Sequence, residues 1–256
     1  MIIDANVSLS RWPFRRLRGD ETPDLVERLR RRGVGQAWAG SFDGLLHKDL
    51  AGVNERLAAD CRRWGGGLLL PFGSINPKLP DWEEDLRRCA EDLKMKGIRL
   101  HPNYHGCTLE DPDVLRLLQG AAQRGLLVQL ALKMEDDRTQ HPLVQVPPVD
   151  ARGLAGAISK IPGLRLMILN GPGPLPREAV TTLAAAGVCF DIAMLEGVTG
   201  VAKLIEQIGA ERIVFGSHAP FFTWESAALK IQESGLDAAA ERLILSGNAE
   251  RLLSGR

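Results

Sequence analysis

The sequence predicts a single α/β domain over residues 1–256, a slightly distorted (β/α)8 TIM barrel. Short runs rich in β-forming residues alternate eight times with amphipathic helical segments, which matches the repeat number and the length of such a barrel. Two of the runs, GLLLPF and RLMIL, are almost continuously apolar, as parallel strands buried on both faces should be. The alternative is an open doubly wound sheet, but no glycine-rich phosphate-binding fingerprint follows the first strand.

Eight strands are predicted in order along the chain. They are IIDANVS (2–8), GQAWAGS (35–41), GLLLPFGSI (67–75), GIRLHPN (97–103), LLVQLALK (126–133), LRLMILN (164–170), VCFDIAM (188–194) and RIVFGSH (212–218). In the first strand, alternation places the apolar residues from Ile3 to Leu9 on one face and Asp4, Asn6 and Ser8 on the other. The first strand therefore ends in a row of polar groups.

Helical segments fill the intervals between these strands. TPDLVERLRRRG has Thr22 as its predicted cap and Pro23 in its first turn, and it ends at Gly33. DWEEDLRRCAEDLKMKG follows the same plan from Asp81 to Gly97. Three further segments, DPDVLRLLQGAAQRG, REAVTTLAAAG and GVAKLIEQIGA, each close near a glycine. No linker, low-complexity stretch or internal repeat suggests a second domain.

Composition and charge exclude several classes of protein. The chain has 32 basic and 32 acidic side chains, and this balance argues against a nucleic-acid-binding protein. The basic run Arg28–Arg32 shares a predicted helix with Asp24 and Glu27, which favours a solvated face. The four cysteines form no CxxC pair, so neither a disulfide framework nor a zinc knuckle is expected. Without a signal pattern or an apolar stretch of ~18 residues, we expect a soluble, cytoplasmic protein that does not bind a membrane.

Polar side chains collect at the carboxyl ends of the predicted strands, where barrels of this kind place their active sites. The set comprises Asn6, Ser8, Ser41, Asn76, His101, Asn103, Tyr104, His105, Gln129, Lys133, Asn170, Asp191 and His218. Four of them, His101, Lys133, Asp191 and His218, fall inside strand runs and not on loop tips. Because burying such groups without partners would be costly, we expect them to form part of a site.

Five segments carry a further signal through their order: IIDANVS, GIRLHPNYHGCTLEDP, RLMILNGPG, RIVFGSHAPF and ILSGNAERLL. Together they resemble the amidohydrolase superfamily, in the branch of amidohydrolase-related barrels that contains decarboxylases and a metal-independent lactonase. The first segment is similar to a strand that usually reads I-D-x-H-x-H, and the fourth is similar to F-G-S-D-x-P-F. The resemblance runs nearly end to end and implies a TIM barrel that hydrolyses or decarboxylates small organic acids.

The resemblance also implies a zinc or manganese site, and here the chain departs from the pattern. Two histidines on the first strand, one each on the fifth and sixth, and an aspartate on the eighth would be the ligands. Those positions hold Asn6, Ser8, Ala131, Asn170 and His218. Because amides, a hydroxyl and a methyl group do not supply the donors that such a metal needs, we expect no metal cofactor. The alternative is a rebuilt zinc or manganese site, whose candidate ligands are His101, His105, His218 and Asp191.

Roles follow from these positions. His218 stands where the family has its general-base aspartate, and an imidazole with a pKa near 6.5 suits that task. Lys133, two residues beyond Ala131, should point the same way along the strand and could supply the positive charge that a metal would otherwise provide. His101 is the third predicted catalytic residue. The predicted substrate-binding residues are Asn6, Ser8, Asn170, Arg15, Tyr104, His105, Asp191 and Asn76, with Arg15 facing a carboxylate.

Each of these assignments has a structural alternative. Lys133 could extend to the rim without a role, His101 and His218 could be packing histidines, and Arg15 could belong to a solvated loop anchored by Trp12 and Phe14.

Two hypotheses about function remain open. The first is a hydrolase of an ester, lactone or amide of a small organic acid, or a decarboxylase, that acts without the usual metal. The second is a non-catalytic barrel that binds a small molecule, or a pseudoenzyme partner subunit. Convergence of His218, Lys133 and His101 on one pocket would favour the enzyme. A mouth filled by Trp12, Phe14 or residues 133–142 would favour the second hypothesis. In either case we expect a small molecule, most simply a carboxylate, as the partner, and a homodimer is an open alternative to a monomer.

Overall fold

The computed structural model describes residues 1–255 and shows eight parallel strands arranged in the order of the chain. The strands are β1 (Ile2–Leu9), β2 (Val34–Ser41), β3 (Leu69–Ser74), β4 (Gly97–Leu100), β5 (Leu127–Ala131), β6 (Arg165–Leu169), β7 (Cys189–Asp191) and β8 (Ile213–Val214). The sheet closes because Ala5 N donates to Phe215 O at 2.9 Å and Ser8 N donates to Ala219 O at 2.9 Å. The predicted TIM barrel is thereby confirmed, with its distortion at the two-residue strand β8.

Helices alternate with the strands as predicted. They are α1 (Thr22–Arg31), α2 (Leu50–Gly65), α3 (Trp82–Glu91), α4 (Pro102–His105), α5 (Pro112–Gln123), α6 (Leu154–Ile158), α7 (Arg177–Ala185), α8 (Gly200–Ile208), α9 (Trp224–Glu233), α10 (Ala238–Arg242) and α11 (Asn248–Ser254). The predicted cap Thr22 is wrong by one position, since Thr22 is already helical and Glu21 precedes it. The strand predicted through Asn103 ends at Leu100, because Pro102 begins α4.

Apolar side chains form two layers, one on each side of the sheet. The inner layer fills the barrel and includes Ile3, Phe72, Leu127, Met167 and Val214. The outer layer lies between the sheet and the helices and includes the alternating residues Ile98, Val128, Ile168, Phe190 and Phe215. The period of two within each strand therefore decides which side chains enter the barrel.

The first strand departs from the simple alternation that its sequence predicts. Its register against β2 shifts between Asp4 and Val7, so that three steps on β1 match two on β2. As a result Ile3 and Ala5 belong to the inner layer, whereas Val7 and Leu9 pack in the outer one. The irregularity is a β-bulge, which redirects side chains at the rim of a barrel.

Two smaller findings concern the excluded classes. The cysteines of residues 1–255 are all buried and unpaired. Within the same residues, no helix combines the length and the apolar character needed to cross a membrane.

Candidate active site

The carboxyl ends of β1, β6 and β7 bring three buried polar side chains into one hydrogen-bonded group, here called the amide–carboxyl network (Asn6, Asn170 and Asp191). Asn6 Nδ2 donates to Asn170 Oδ1 at 2.8 Å and to Asp191 Oδ2 at 2.6 Å. Asp191 Oδ1 also accepts from the main-chain N of Asn170 at 2.9 Å. Burial nevertheless raises the pKa of Asp191 to about 7, so the carboxyl is close to half-protonated at neutral pH.

A guanidinium lies inside the barrel near this network. Arg99 on β4 is buried and donates to four neutral acceptors: Gln129 Oε1 (2.9 Å), Val7 O (2.9 Å), Trp38 O (3.1 Å) and Ser8 Oγ (3.3 Å). Burial lowers its pKa to about 10, and the carboxylates of Asp191 and Asp4 oppose that shift. The charge of Arg99 is thus solvated by the protein itself and remains positive at neutral pH.

Two buried histidines have ring nitrogens without a partner. His218 follows β8 at φ 58°, a left-handed conformation that side chains rarely adopt. Its Nε2 lies 2.8 Å from the carbonyl O of Met134, so Nε2 carries the proton and Nδ1 keeps its lone pair. Within residues 1–255, neither Nδ1 of His218 nor Nδ1 of His101 has a hydrogen-bond partner. Burial lowers the pKa of both histidines, that of His218 to about 4, so both rings are neutral at pH 7.

An aromatic cover (Trp12, Phe14, Phe42 and Phe221) closes the barrel along its axis. Its members follow the ends of β1, β2 and β8, and Trp12 packs edge-on against the other three at 5.0 to 5.6 Å between ring centroids. Trp12 is only 2% exposed. On the inner side, Phe221 stacks on His218 with ring centroids 5.0 Å apart. The mouth is therefore filled in the way that favours the non-catalytic hypothesis.

The loop after β5 helps to hold this cover. Glu135 is buried and accepts from Arg15 at 2.9 Å, and the Arg15 guanidinium lies 5.0 Å from the centre of the Phe221 ring. His141 stacks on Phe14 with centroids 5.4 Å apart. Arg15 is therefore engaged with a protein carboxylate, in the place where the sequence predicts a substrate carboxylate.

Lys133 does not share the surroundings of the two histidines. Strand β5 ends at Ala131, and the side chain of Lys133 lines a cavity of about 1140 Å³ beside the barrel axis, here called the lateral cavity. Other residues on its wall include Ala193, Phe222 and Lys230, but neither His101 nor His218. Convergence of Lys133 with both histidines on one pocket, the observation that would favour the enzyme, is therefore not found. The prediction that Lys133 points the same way as Ala131 assumed that the strand continues to Lys133. Alternation holds only within a strand, and β5 ends at Ala131.

The remaining predicted residues divide between the site and its surroundings. Ser8 lies in the interior as an acceptor from Arg99. His105 binds Gly44 O through Nε2 at 2.9 Å, and Tyr104 packs against the inner apolar layer. Asn76 instead accepts from Lys78 N at 2.9 Å in a local turn after β3. Its contact gives Asn76 a structural role in that turn.

Sequence reasoning missed Arg99, Asp4 and Glu135. Arg99 was visible only as part of a motif, although a period of two places it on the same side of β4 as His101. Asp4 Oδ1 accepts from Ser217 N at 2.9 Å across the closure of the barrel, and burial raises its pKa to about 6. No local pattern indicates that contact, since 213 positions separate the two residues.

The donors at the family's metal positions do not match a divalent metal site. Asn6 and Asn170 bind each other, Ser8 accepts from Arg99, and Ala131 has no donor. In the part of the chain that the structure describes, no three His, Cys, Asp or Glu side chains are placed to hold one ion. Of the four candidate ligands of a rebuilt site, His105 binds Gly44 O and Asp191 belongs to the amide–carboxyl network.

Comparison with solved structures shows where this fold recurs. The IDCase of Metarhizium anisopliae in its apo form aligns with a TM-score of 0.75 at 16% identity, over 99% of this chain and 97% of the other. The 5-carboxyvanillate decarboxylase LigW of Sphingomonas paucimobilis aligns with a TM-score of 0.75 at 13% identity, over 99% and 98%. The 5-carboxyvanillate decarboxylase LIGW2 of Novosphingobium aromaticivorans, solved with bound manganese and a nitrobenzoic acid, aligns with a TM-score of 0.69 at 12% identity, over 99% and 97%.

These likenesses are too distant in sequence to show more than the fold. A comparison with curated proteins finds no match. The family model described as amidohydrolase, however, matches residues 9–255, which is nearly the whole chain and includes strands β2 to β8 in full. The chain therefore belongs to the amidohydrolase family.

Proposed function

We propose that this chain hydrolyses an ester, lactone or amide of a small organic acid, or decarboxylates such an acid, without a divalent metal. The observation that carries the proposal is the Nδ1 atom of His218. It is an unprotonated ring nitrogen with a fixed lone pair, buried without a partner at the carboxyl end of the barrel. Buried polar groups in native proteins are nearly always paired, and strained exceptions cluster at functional sites.

The reaction steps follow from the protonation state of His218. With Nε2–H held by Met134 O, Nδ1 can take a proton from water as the water oxygen attacks a carbonyl carbon. The imidazolium then returns that proton to the leaving oxygen or nitrogen. In a decarboxylation, Nδ1 would first take the proton of the substrate's carboxylic acid and would then, as imidazolium, deliver it to the carbon that loses CO2. Arg99 supplies a fixed positive charge in a dry site, where it favours an anionic transition state.

Substrate recognition in this proposal uses the polar side chains around His218. Asn6, Ser8 and Asn170 position the substrate by exchanging some of their present hydrogen bonds for bonds to it. A carboxylate is the expected charged group of the substrate, because the buried Arg99 keeps its positive charge inside the barrel. The neighbouring structure of LIGW2 was solved with a nitrobenzoic acid, which supports that expectation.

The test begins with metal analysis of protein purified without added metal. Stoichiometric zinc or manganese would refute the metal-free mechanism. A screen of lactones, aryl esters and aromatic acids then compares the wild type with His218→Ala and with His141→Ala, a matched control in the loop after β5. Loss of a general base should lower kcat by about 10²- to 10⁴-fold. Equal activity in the wild type and His218→Ala would remove His218 from the mechanism.

The filled mouth favours a second candidate, a non-catalytic barrel that binds a small molecule or serves as a partner subunit. Trp12 and Phe221 occupy the axial position that a substrate would take. This candidate predicts no turnover of any substrate in the screen, together with a thermal shift upon binding of a small acid. Turnover that depends on His218 would exclude it.

A further inference from the structure

The lateral cavity borders the candidate site at its inner wall. Its lining comes from the loops after β5, β6, β7 and β8 and from helices α7, α8 and α9. A volume of about 1140 Å³ is more than a small organic acid needs.

Three residues of the cavity wall touch the candidate site directly. The Phe222 ring packs edge-on against the ring of His218, with centroids 5.4 Å apart. The main-chain O of Lys133 accepts from Asn170 Nδ2 at 2.7 Å. Phe222 is therefore both a residue of the cavity wall and a direct neighbour of the His218 ring.

The third contact is made by Ala193, which binds Asp191 of the site and also the ammonium of Lys230 on the wall. Ala193 N donates to Asp191 Oδ1 at 3.4 Å, and Lys230 Nζ donates to the main-chain O atoms of Ile192 and Ala193 at 3.0 and 2.6 Å. Two of the three ammonium hydrogens of Lys230 are thus used, and one remains for a ligand. Three carboxylates also line the cavity, of which Asp136 is held by Arg138 while Glu196 and Glu233 are exposed. The anchored ammonium suits the carboxylate of a small organic acid.

The axial route, by comparison, is closed by more than one layer. A molecule on the barrel axis would have to displace Trp12 and Phe221 together, and the ion pair between Arg15 and Glu135 as well. Moving one half-buried phenylalanine ring requires far less rearrangement than opening that cover.

We infer that a small organic acid reaches His218 sideways, through the lateral cavity, with the ring of Phe222 as the gate. This inference deepens the proposed function, because it takes His218 as the reacting group. It assigns Phe222 to access, Lys230 to capture of the carboxylate, and the aromatic cover to permanent closure of the axis.

The experiment measures access to His218 without any turnover. Diethyl pyrocarbonate acylates neutral imidazole nitrogens, and peptide mass spectrometry separates the five histidines of the chain. Phe222→Ala is compared with Phe221→Ala, its matched control, which removes a ring stacked on the same histidine from the axial side. We expect labelling of His218 to rise about tenfold in Phe222→Ala and to stay within about twofold of the wild type in Phe221→Ala, since labelling follows the population of the open state.

A second variant tests the cavity itself. Ser226 lies on the wall of the lateral cavity in α9, so Ser226→Trp narrows the cavity and should return the labelling of Phe222→Ala towards the wild-type rate. Unchanged labelling in Phe222→Ala would overturn the inference, as would an equal or larger rise in Phe221→Ala. Labelling of the buried His101 and the thermal midpoint report general unfolding; if Phe222→Ala unfolds, Phe222→Leu takes its place. Because no substrate is used, a failed activity screen leaves this result interpretable.

Discussion

At the scale of single residues, the buried carboxyl of Asp191 sets a pH dependence of stability. Burial raises its pKa from 3.8 to about 7, so between these values the folded protein holds a proton that the unfolded chain has released. The free energy of unfolding should therefore fall as the pH rises through this range, by on the order of 4 kcal/mol. His218 acts in the opposite sense, because its pKa is lowered from 6.5 to about 4 and its contribution is lost as the pH falls through that range. Above pH 6.5, therefore, the titration of Asp191 still changes the free energy of unfolding, whereas that of His218 does not.

Asp191→Asn tests this dependence, because it removes the titration and nearly keeps the shape. Urea denaturation across about pH 5 to 7.5 should show the wild type losing stability relative to the variant as the pH rises. A His218→Asn variant, as the control, should change relative to the wild type mainly below pH 6.5. A difference between Asp191→Asn and wild type that is constant with pH would contradict a raised pKa at Asp191.

Sequence reasoning reached some residues of the site and not others for identifiable reasons. Asn6, Asn170 and His218 were found because they stand at strand ends within motifs of a family. Arg99 was missed because a charge that is solvated by carbonyl oxygens from β1 and β2 leaves no trace near position 99. Lys133 was misplaced because a period of two holds only as far as the strand does, and β5 ends two residues earlier.

At the scale of elements, a single amide fastens helix α2 to strand β3. Asn54 Oδ1 accepts from Ser74 N at 2.7 Å, and Asn54 Nδ2 donates to Ser74 O at 2.9 Å, in a fully buried position. Asn54→Ala would leave two buried main-chain groups unpaired, so we expect a loss of about 2 to 4 kcal/mol in the free energy of unfolding. Urea denaturation measures it, with Glu55→Ala on the exposed face of the same helix as the control. A loss below 1 kcal/mol in Asn54→Ala would mean that water replaces the amide.

The elements themselves were largely predictable, and their ends were not. All eight strands overlap the runs of β-forming residues that predicted them. Burial on both faces accounts for the almost continuously apolar runs of β3 and β6. The bulge in β1 could not be foreseen, since it arises from the register against β2 and the contact with Phe215 and Ala219 across the closure. The closure also accounts for the shortness of β8. Strand β8 ends at Val214, and β1 bonds to the extended segment after it, at Phe215 and Ala219.

At the scale of the whole molecule, one ion pair joins the loops that follow β1 and β5 across the barrel mouth. Glu135 is 2% exposed and pairs with Arg15, and Thr139 Oγ1 donates to the same carboxylate at 3.3 Å. Arg15→Ala would leave the buried carboxylate of Glu135 without its ion-pair partner, which should lower the free energy of unfolding by about 3 kcal/mol. Hydrogen exchange should become faster in residues 10–20 and 133–142. Adding Glu135→Gln removes the stranded charge, so the double variant should be more stable than Arg15→Ala alone. Equal stability of the single and double variants would show that the pair does not close the axis, and the aromatic rings alone would then hold the cover in place.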